Sequence, residues 1–189
     1  LKAKGGDHLA LRPEHTAGTM RAYLEHGMQS LPQPVLMYHS GPVFRHENPQ
    51  KGRYRQFTGF DLDVYGSEKS IIDALVMRTA YTILQESGAS NLSIDINSIG
   101  DRDCRPKYIR ELTNYFKKHS KDLPAVDRER LANNPLRILD SKDPKVQAVL
   151  VNAPQLFDYL DEESRTHQQK LTAVLDAAGV SYILNPRLV

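Results

Sequence analysis

Apolar residues recur at helical spacing in several stretches of the chain. We predict helices over residues 16–27, from Ser67 to Gly88, and over 101–119, 125–133 and 161–179. Their apolar stripes are expected to face a core. The stripe residues are Ala17, Met20, Leu24 and Met28 in the first helix; Ile71, Ile72, Leu75, Val76, Thr79, Ile83 and Leu84 in the second; Ile109, Leu112 and Phe116 in the third; and Leu171, Val174 and Leu175 in the last.

Alternating and β-rich stretches predict strands between these helices. Residues 35–44 and 54–65 are interpreted as two strands joined by the polar loop 46–52, which makes an antiparallel hairpin. Shorter strands are predicted at 9–11, 92–96 and 182–184. Because the clearest pairing is antiparallel, we predict the fold class α+β, an antiparallel sheet with helices packed against it.

Composition narrows the class of protein. The chain has 189 residues, 40% of them hydrophobic and 25% charged, which is typical of a globular protein with one core or with a domain and a smaller module. The net charge of +2 argues against a broad coat for nucleic acid. The single cysteine, Cys104, excludes a disulfide scaffold and favours a reducing, cytoplasmic setting. We expect neither a membrane span nor a signal peptide.

The second strand of the hairpin has two chemically different faces. Period-two spacing puts Phe60, Leu62 and Val64 on one face, which we expect to belong to a core. The opposite face carries a mixture of cations, an aromatic ring, a glycine and carboxylates: Arg53, Arg55, Phe57, Gly59, Asp61 and Asp63. Taken alone, this second face favours a solvated strand that carries weak ion pairs.

The position of Arg45 favours the hypothesis that this hairpin carries a binding site. It ends the first strand, so that with Arg53 and Arg55 it could form a cationic clamp. Arginine suits phosphate because its planar guanidinium makes two parallel hydrogen bonds. Phe57 offers a flat platform for a purine and Asp63 an acceptor for a donor-bearing ligand. Together these residues would suit a nucleotide beside a small polar molecule.

Other common catalytic motifs are missing from the sequence. It contains no Gly-rich phosphate loop, no HExxH pair and no G-x-S-x-G elbow. The seven histidines are scattered, so we expect no structural metal and no metal site built from a cluster of side chains. A nucleophilic or metal-dependent hydrolase is therefore not supported.

The hairpin sequence resembles a known family. Residues 41–57, which read G-P-V-F-R-H-E-N-P-Q-K-G-R-Y-R-Q-F, closely resemble motif 2 of histidyl-tRNA synthetases, which are class II aminoacyl-tRNA synthetases. Residues 11–18, L-R-P-E-H-T-A-G, are similar to the family's L-R-P-E-G-T-A-G segment. Further similar segments are I-N-S-I-G-D at 96–101, N-P-L-R-I-L-D at 134–140, D-Y-L-D-E-E-S at 158–164 and N-P-R-L-V at 185–189.

The resemblance implies a class II synthetase-like antiparallel sheet flanked by helices and incomplete at both ends. Residues 1–189 would be part of the catalytic domain, with the motif 2 hairpin at about 35–66. We expect a fragment, since the chain begins at Leu1 rather than Met and since motif 1, motif 3, an R-G-L-D-Y-Y segment and the anticodon-binding domain are all missing. The fragment alone is expected to be inactive, and the full-length protein to be a homodimer.

The resemblance also implies a reaction and its ATP site. L-histidine is activated by ATP to histidyl-adenylate and is then transferred to the 3′ end of tRNA(His). Arg45 would be the catalytic residue, in contact with the α-phosphate and with the carboxylate of histidine. Arg53 would hold the outer phosphates, Phe57 would stack on adenine, Glu47 would fix the adenine side, and Tyr54 would also belong to this site. Mg²⁺ would bridge the phosphates.

Recognition of histidine falls on another group of residues. By the resemblance, Glu14 and Thr16 hold the α-ammonium group, Arg45 the carboxylate, and Asp63 the imidazole. A simpler alternative is that Glu14 and Thr16 merely begin a helix. His15 stands where many bacterial members have glycine and Gly59 where glutamine is common, so both positions are included as candidate histidine contacts. Asp63 is shorter than the glutamate of many bacterial members.

Two other functions compete with the synthetase. The first is a synthetase-like regulatory subunit of ATP phosphoribosyltransferase, which senses histidine without charging tRNA. The intact loop from His46 to Phe57 favours the enzyme, because a sensor has less use for a loop that grips ATP. The second is a plain RNA-binding domain, which the modest net charge and single basic hairpin argue against.

Overall fold

The computed structural model describes residues 5–6 and 8–189. The chain forms two compact units, Leu1–Glu68 and Lys69–Val189. None of the described helices is both long enough and apolar enough to span a bilayer.

The first unit contains the predicted hairpin and one helix. Helix α1 covers Thr16–Glu25 and is followed by a 3-10 turn at Met28–Ser30. Strands β1 (Val35–Phe44) and β2 (Gln56–Tyr65) pair antiparallel, from Val35↔Tyr65 to Phe44↔Gln56. The antiparallel hairpin is therefore as predicted, except that β2 begins at Gln56 rather than at Tyr54.

Residues 9–11 do not form the predicted strand. The carbonyl of Arg12 does accept a hydrogen bond from Phe44 N at 2.9 Å, so this segment runs beside the end of β1. Pro13 follows at once and has no N–H with which to extend a ladder, which is why the pairing goes no further there.

The face of the hairpin that we expected to be buried is the more exposed one. Phe60 is 53% exposed and Tyr38, on the same face, is 74% exposed. The covered face carries Val43, which is buried, together with Gly59 and Asp61. The prediction followed apolarity, whereas α1 packs on the face that carries Asp63 and Tyr65.

The buried side of α1 also differs from the predicted stripe. Met20 and Leu24 are exposed, and the buried residues are Thr19 and Tyr23. The reason is polar complementarity, since the hydroxyl of Thr19 bonds to Asp63 on β2 and Tyr23 stacks on Tyr65 with ring centroids 4.9 Å apart. A periodicity argument that counts apolar residues alone does not detect such a face.

The second unit is mostly helical. Its helices and strands are α2 (Ser70–Glu86), β3 (Ile94–Ile96), α3 (Cys104–Lys118), α4 (Ala125–Asn133), α5 (Pro144–Leu150), α6 (Glu162–Ala177) and β4 (Tyr182–Leu184), with 3-10 turns at Pro135–Ile138 and Leu156–Tyr159. Strands β3 and β4 pair in parallel, from Ile94↔Tyr182 to Ile96↔Leu184, which was not predicted. Helix α5 and the two turns were missed because they are too short to show a period, although Asp143 and Pro144 form a good helix start.

Two apolar clusters form the cores of this unit. The larger surrounds the inner face of α3, where Leu112 and Phe116 are fully buried, as predicted. The smaller joins α2 to α6 and contains Ala74 and Leu175. The predicted stripe of α2 is wrong here: Ile71, Leu75, Ile83 and Leu84 are exposed, and α6 packs instead on the side of the helix that carries Ala74, Met77 and Tyr81. Helix α2 has apolar residues on more than one side, so its sequence does not determine which side is buried.

Candidate active site

Arg45 lies where the hairpin opens into its loop. Its backbone N–H donates to the carbonyl of Arg55 at 3.0 Å, one step beyond the last paired residues of β1 and β2. Its Nε donates to the carbonyl of Pro13 at 3.2 Å, and the guanidinium carbon lies 5.4 Å from the ring centroid of Phe57. This is a cation–π contact. The structure therefore brings Arg45 and Phe57 together beside the residue that precedes Glu14.

The loop between the strands holds the other residues predicted for ATP. Arg53 Nη1 lies 3.2 Å from Glu47 Oε2, and Arg55 Nε donates to the carbonyl of Glu47 at 3.1 Å. Gln50 and Arg53 form a backbone bridge that closes the loop, and Tyr54 is exposed. The Arg53–Glu47 ion pair is open to solvent, so it stabilises the loop little and both side chains can be released to a ligand.

Asp63 is held by α1. Its Oδ2 accepts a hydrogen bond from Thr19 Oγ1 at 2.7 Å, and the same hydroxyl lies 2.8 Å from the Tyr65 phenol oxygen. Thr19 is buried, so the carboxylate of Asp63 is positioned from one side by a fixed hydroxyl group. The sequence predicted Asp63 as a site residue but did not identify Thr19 or Tyr65 as its partners.

Glu14 and Thr16 flank His15, the N-cap residue of α1, and are both exposed. Between them, His15 is buried, and its backbone N–H and its Nδ1 lie 2.8 and 2.7 Å from Asp61 Oδ2. Thr16 therefore begins α1, as the simpler alternative had it, whereas Glu14 lies before the helix, and the ligand-binding role of both residues stays a prediction. The position of His15 against β2 fixes where the two exposed side chains project.

Gly59 lies directly under His15. A Cβ atom on Gly59 would be 3.2 Å from Val43 Cγ2 and 3.6 Å from His15 Cε1. There is little room for a side chain at this position while the imidazole of His15 is in place. His15 and Gly59, two of the candidates for histidine binding, are thus neighbours in the structure.

The sequence predicted Asp61 on the candidate face of β2 without a role there, and it did not indicate Arg12 as part of this region. Arg12 Nε donates to the carbonyl of Pro42 at 2.8 Å, which ties the segment before α1 to β1. Asp61 shares its face of β2 with Asp63, a signal that period-two spacing did give. Its partner His15 lies 46 positions away, and nothing local in the sequence connects the two.

The second unit carries a cavity of about 620 Å³ with none of the predicted site residues in its wall. Its lining comes from several of the segments that resemble the family, and includes Asn97, Arg105, Asn134 and Arg137. Across residues 5–6 and 8–189, no three or more His, Cys, Asp or Glu side chains gather as a metal site would require.

The shifted pKa values of the second unit belong to its framework. At the start of α3, the backbone N–H groups of Cys104 and Asp103 donate to Asp101 Oδ1 at 2.6 and 2.7 Å. The hydrogen bond from Cys104, more than any other, lowers the pKa of the Asp101 carboxyl far below its ordinary value of 3.8. Burial raises the pKa of the Tyr108 phenol to about 12.

The fold and the hairpin chemistry agree with a family of known proteins. Residues 1–181 match the tRNA synthetase class II core domain (G, H, P, S and T), and the chain belongs to this family. The predicted resemblance and the predicted α+β class are thereby confirmed.

Within this family, the chain is similar to histidine--tRNA ligases. The histidine--tRNA ligase of Thermosynechococcus vestitus is 46% identical over 181 residues, which are 96% of this chain and 42% of that protein. The histidine--tRNA ligase of Rubrobacter xylanophilus is 44% identical over 189 residues, 100% of this chain and 45% of that protein. The crystal structure of apo S. aureus histidyl-tRNA synthetase superimposes with a TM-score of 0.71 at 34% identity, covering 98% of this chain and 43% of that chain. The chain spans less than half the length of these relatives, and their names do not favour the regulatory-subunit alternative.

Proposed function

We propose that this chain is part of an enzyme that activates L-histidine with ATP and transfers it to tRNA(His). The observation that supports this most is the guanidinium of Arg45, which lies over the Phe57 ring and bonds to the carbonyl that precedes Glu14. An adenine platform, a cation for phosphate and an acidic turn are then neighbours on one hairpin. The relatives described above carry the same function in their names.

In the first step, one carboxylate oxygen of histidine attacks the α-phosphorus of ATP. The new O–P bond forms as the bond to the bridging oxygen breaks, and pyrophosphate leaves with the electron pair of that bond. No protein nucleophile is needed. The enzyme has to hold the two reactants in line and to neutralise the charge that grows on the α-phosphate. We assign the second task to Arg45, which would touch both the phosphate and the attacking carboxylate.

The other ATP contacts follow the hairpin outward. Phe57 would stack on adenine, and Glu47 with Tyr54 would line the adenine side. Arg53 would leave Glu47 to hold the outer phosphates. Mg²⁺ would enter with ATP as part of the substrate complex and would screen the same phosphates.

Histidine itself would be recognised by opposite charges and by one acceptor. Glu14 and Thr16 would bind the α-ammonium group, and Asp63 would accept a hydrogen bond from the imidazole. A buried acceptor rejects apolar side chains of similar size, because leaving it unpaired costs about 1–3 kcal/mol. In the second step a hydroxyl of the terminal ribose of the tRNA attacks the carbonyl carbon, and AMP leaves.

The assignment of domains belongs to the same proposal. We assign residues 1–189 to the catalytic domain and the motif 2 hairpin to about residues 35–66. A homodimer, the tRNA and a cytoplasmic setting are proposed for the whole enzyme on the same grounds.

The test is ATP–pyrophosphate exchange by the full-length protein, run with each standard amino acid in turn. We expect exchange with histidine alone, followed by charging of a tRNA(His) transcript. Histidine binding without exchange would support the regulatory alternative instead. Exchange driven by another amino acid would show that the proposed substrate is wrong.

A further inference from the structure

His15 makes two hydrogen bonds to one carboxylate oxygen. Its backbone N–H and its ring Nδ1 lie 2.8 and 2.7 Å from Asp61 Oδ2, and its side chain is only 2% exposed. Because the backbone N–H already donates to this oxygen, the oxygen acts as an acceptor. Nδ1 therefore carries the proton in this bond. We call this pair the His15–Asp61 clamp.

The other ring nitrogen of His15, Nε2, is not accessible to a ligand. Nε2 of His15 is buried and has no hydrogen-bond partner. The ring of His39 packs against it with centroids 4.1 Å apart, and Arg12 Nη2 and His39 Nε2 surround the same point above Gly41. A substrate cannot touch Nε2 unless these side chains move. The ring consequently acts through Nδ1.

The clamp fixes a turn that is held at its other end by Arg45. Arg45 Nε bonds to the carbonyl of Pro13, and Asp61 bonds to His15. Glu14 lies between these two anchors, and Thr16 follows the second one as the first residue of α1. The exposed side chains of Glu14 and Thr16 are therefore carried on backbone that is fixed on both sides.

We propose that His15 is a positioning residue for amino-acid binding. Its Nδ1, held by Asp61, fixes the turn that presents Glu14 and Thr16 to the α-ammonium group of the substrate. This inference rests on the proposed function and adds to it the role of a residue that touches no substrate. A loosened turn weakens binding of the amino acid and leaves the ATP contacts on the hairpin loop in place.

Two substitutions separate the ring nitrogens. In His15→Asn, the amide nitrogen takes the place of Nδ1 and can still donate to Asp61. In His15→Gln, the amide takes the place of Nε2 and the bond from Nδ1 is lost. In exchange assays on the full-length protein, we expect His15→Asn to keep the KM for histidine within about threefold of wild type. We expect His15→Gln to raise it about tenfold or more, as loss of a hydrogen bond to a charged group implies.

The KM for ATP and the melting temperature are measured for every variant. We expect the KM for ATP to stay within about twofold of wild type, so that the change is confined to histidine. A general folding defect would instead lower the apparent kcat and the melting temperature and leave both KM values unchanged. Asp61→Ala removes the acceptor of both hydrogen bonds, from Nδ1 and from the backbone N–H, and should raise the KM for histidine at least as much as His15→Gln does. The double variant His15→Gln/Asp61→Ala should be no worse than Asp61→Ala alone, because the Nδ1 bond is already lost in that single variant.

The outcomes distinguish this inference from the function on which it rests. A wild-type protein without histidine-dependent exchange overturns both. If wild type is active, equal effects of His15→Asn and His15→Gln, whether large or absent, overturn the clamp alone. The reverse order, with His15→Asn the more damaging variant, would mean that Nε2 contacts the substrate.

Discussion

The two units of the chain bury different kinds of side chain. In the second unit the buried residues are mostly apolar and surround α3 and α6, with Leu112, Phe116 and Leu175 fully enclosed. In the described part of the first unit, the buried residues include the polar His15 and Thr19. These bond to carboxylates of β2. Polar residues thus make up a larger share of the buried side chains in the described part of the first unit, beside the apolar Tyr23 and Val43, than in the second.

This contrast has a consequence for mutation. Apolar packing contributes to stability in proportion to the surface it removes from water, and it tolerates no cavity without loss. Hydrogen bonds between side chains of a binding site contribute less to the free energy of unfolding, and their main effect is to fix the positions of the groups that contact the ligand. Changes in the second unit should therefore be seen first in unfolding, and changes in the first unit in substrate binding.

The largest effect on stability is expected for Phe116→Ala. Phe116 is fully buried in the core of the second unit. Its truncation should lower the free energy of unfolding by about 3–5 kcal/mol, measured by urea denaturation. Val126→Ala on the exposed side of α4 is the matched control and should change it by less than about 0.5 kcal/mol. Similar losses for the two variants would contradict the assigned core.

Asp63→Ala tests the first unit. Removing the acceptor should lower kcat/KM for histidine by about 5- to 150-fold relative to other amino acids, as a lost buried partner worth about 1–3 kcal/mol implies. Stability should change little, because Thr19 keeps its bonds to Thr16 and Tyr65. Glu25→Ala, an exposed carboxylate on α1, is the control. Unchanged discrimination among amino acids in the Asp63 variant would count against its proposed role.

Gly59→Ala should change both the stability of the protein and its binding of histidine. The new Cβ would lie 3.2 Å from Val43 and 3.6 Å from His15, so Val43 or the ring has to give way. We expect a loss of about 1–3 kcal/mol in stability together with a raised KM for histidine. Gly18→Ala, where a Cβ would meet nothing within 4 Å, is the control for thermal melting. A Gly59 variant that melts like the control would show that this contact is not tight.

Acid should weaken the second unit through Asp101. Its pKa is lowered in the folded state, so its contribution to stability is complete above the unfolded value of 3.8 and is lost as pH falls below it. Asp101→Asn should be less stable than wild type at neutral pH. As the pH falls from about 4 to about 2, the variant should lose less stability than wild type, because its amide takes up no proton there. Parallel stability curves for the two proteins would contradict this account of the α3 start.

The same contrast explains what could be predicted from the sequence. Helix α3 was predicted with its buried face, since Leu112 and Phe116 lie at helical spacing in an otherwise polar segment. The faces of α1 and of the hairpin were predicted wrongly, because Thr19 and Asp61 are covered for polar reasons that apolar periodicity does not express. The short helix α5 has too few residues to show a period.

Only part of the candidate site could be predicted from the sequence, because some of its residues are paired across long distances in the chain. Arg45, Phe57 and Asp63 follow from strand alternation and from the family resemblance, and their functional roles stay predictions. The clamp between His15 and Asp61 joins residues 46 positions apart. Pairings of that kind depend on register and on the placement of α1, which only the folded chain provides.

The central claim is that the guanidinium of Arg45 neutralises the α-phosphate during attack by histidine. The most direct test is the rate of pyrophosphate release in a single turnover at saturating ATP and histidine, with Arg45→Ala compared with Arg21→Ala on the exposed side of α1. We predict a fall of about 10²- to 10³-fold for the Arg45 variant, as for loss of one donor to a developing charge, and no change for the control. Equal rates in the two variants would contradict the account.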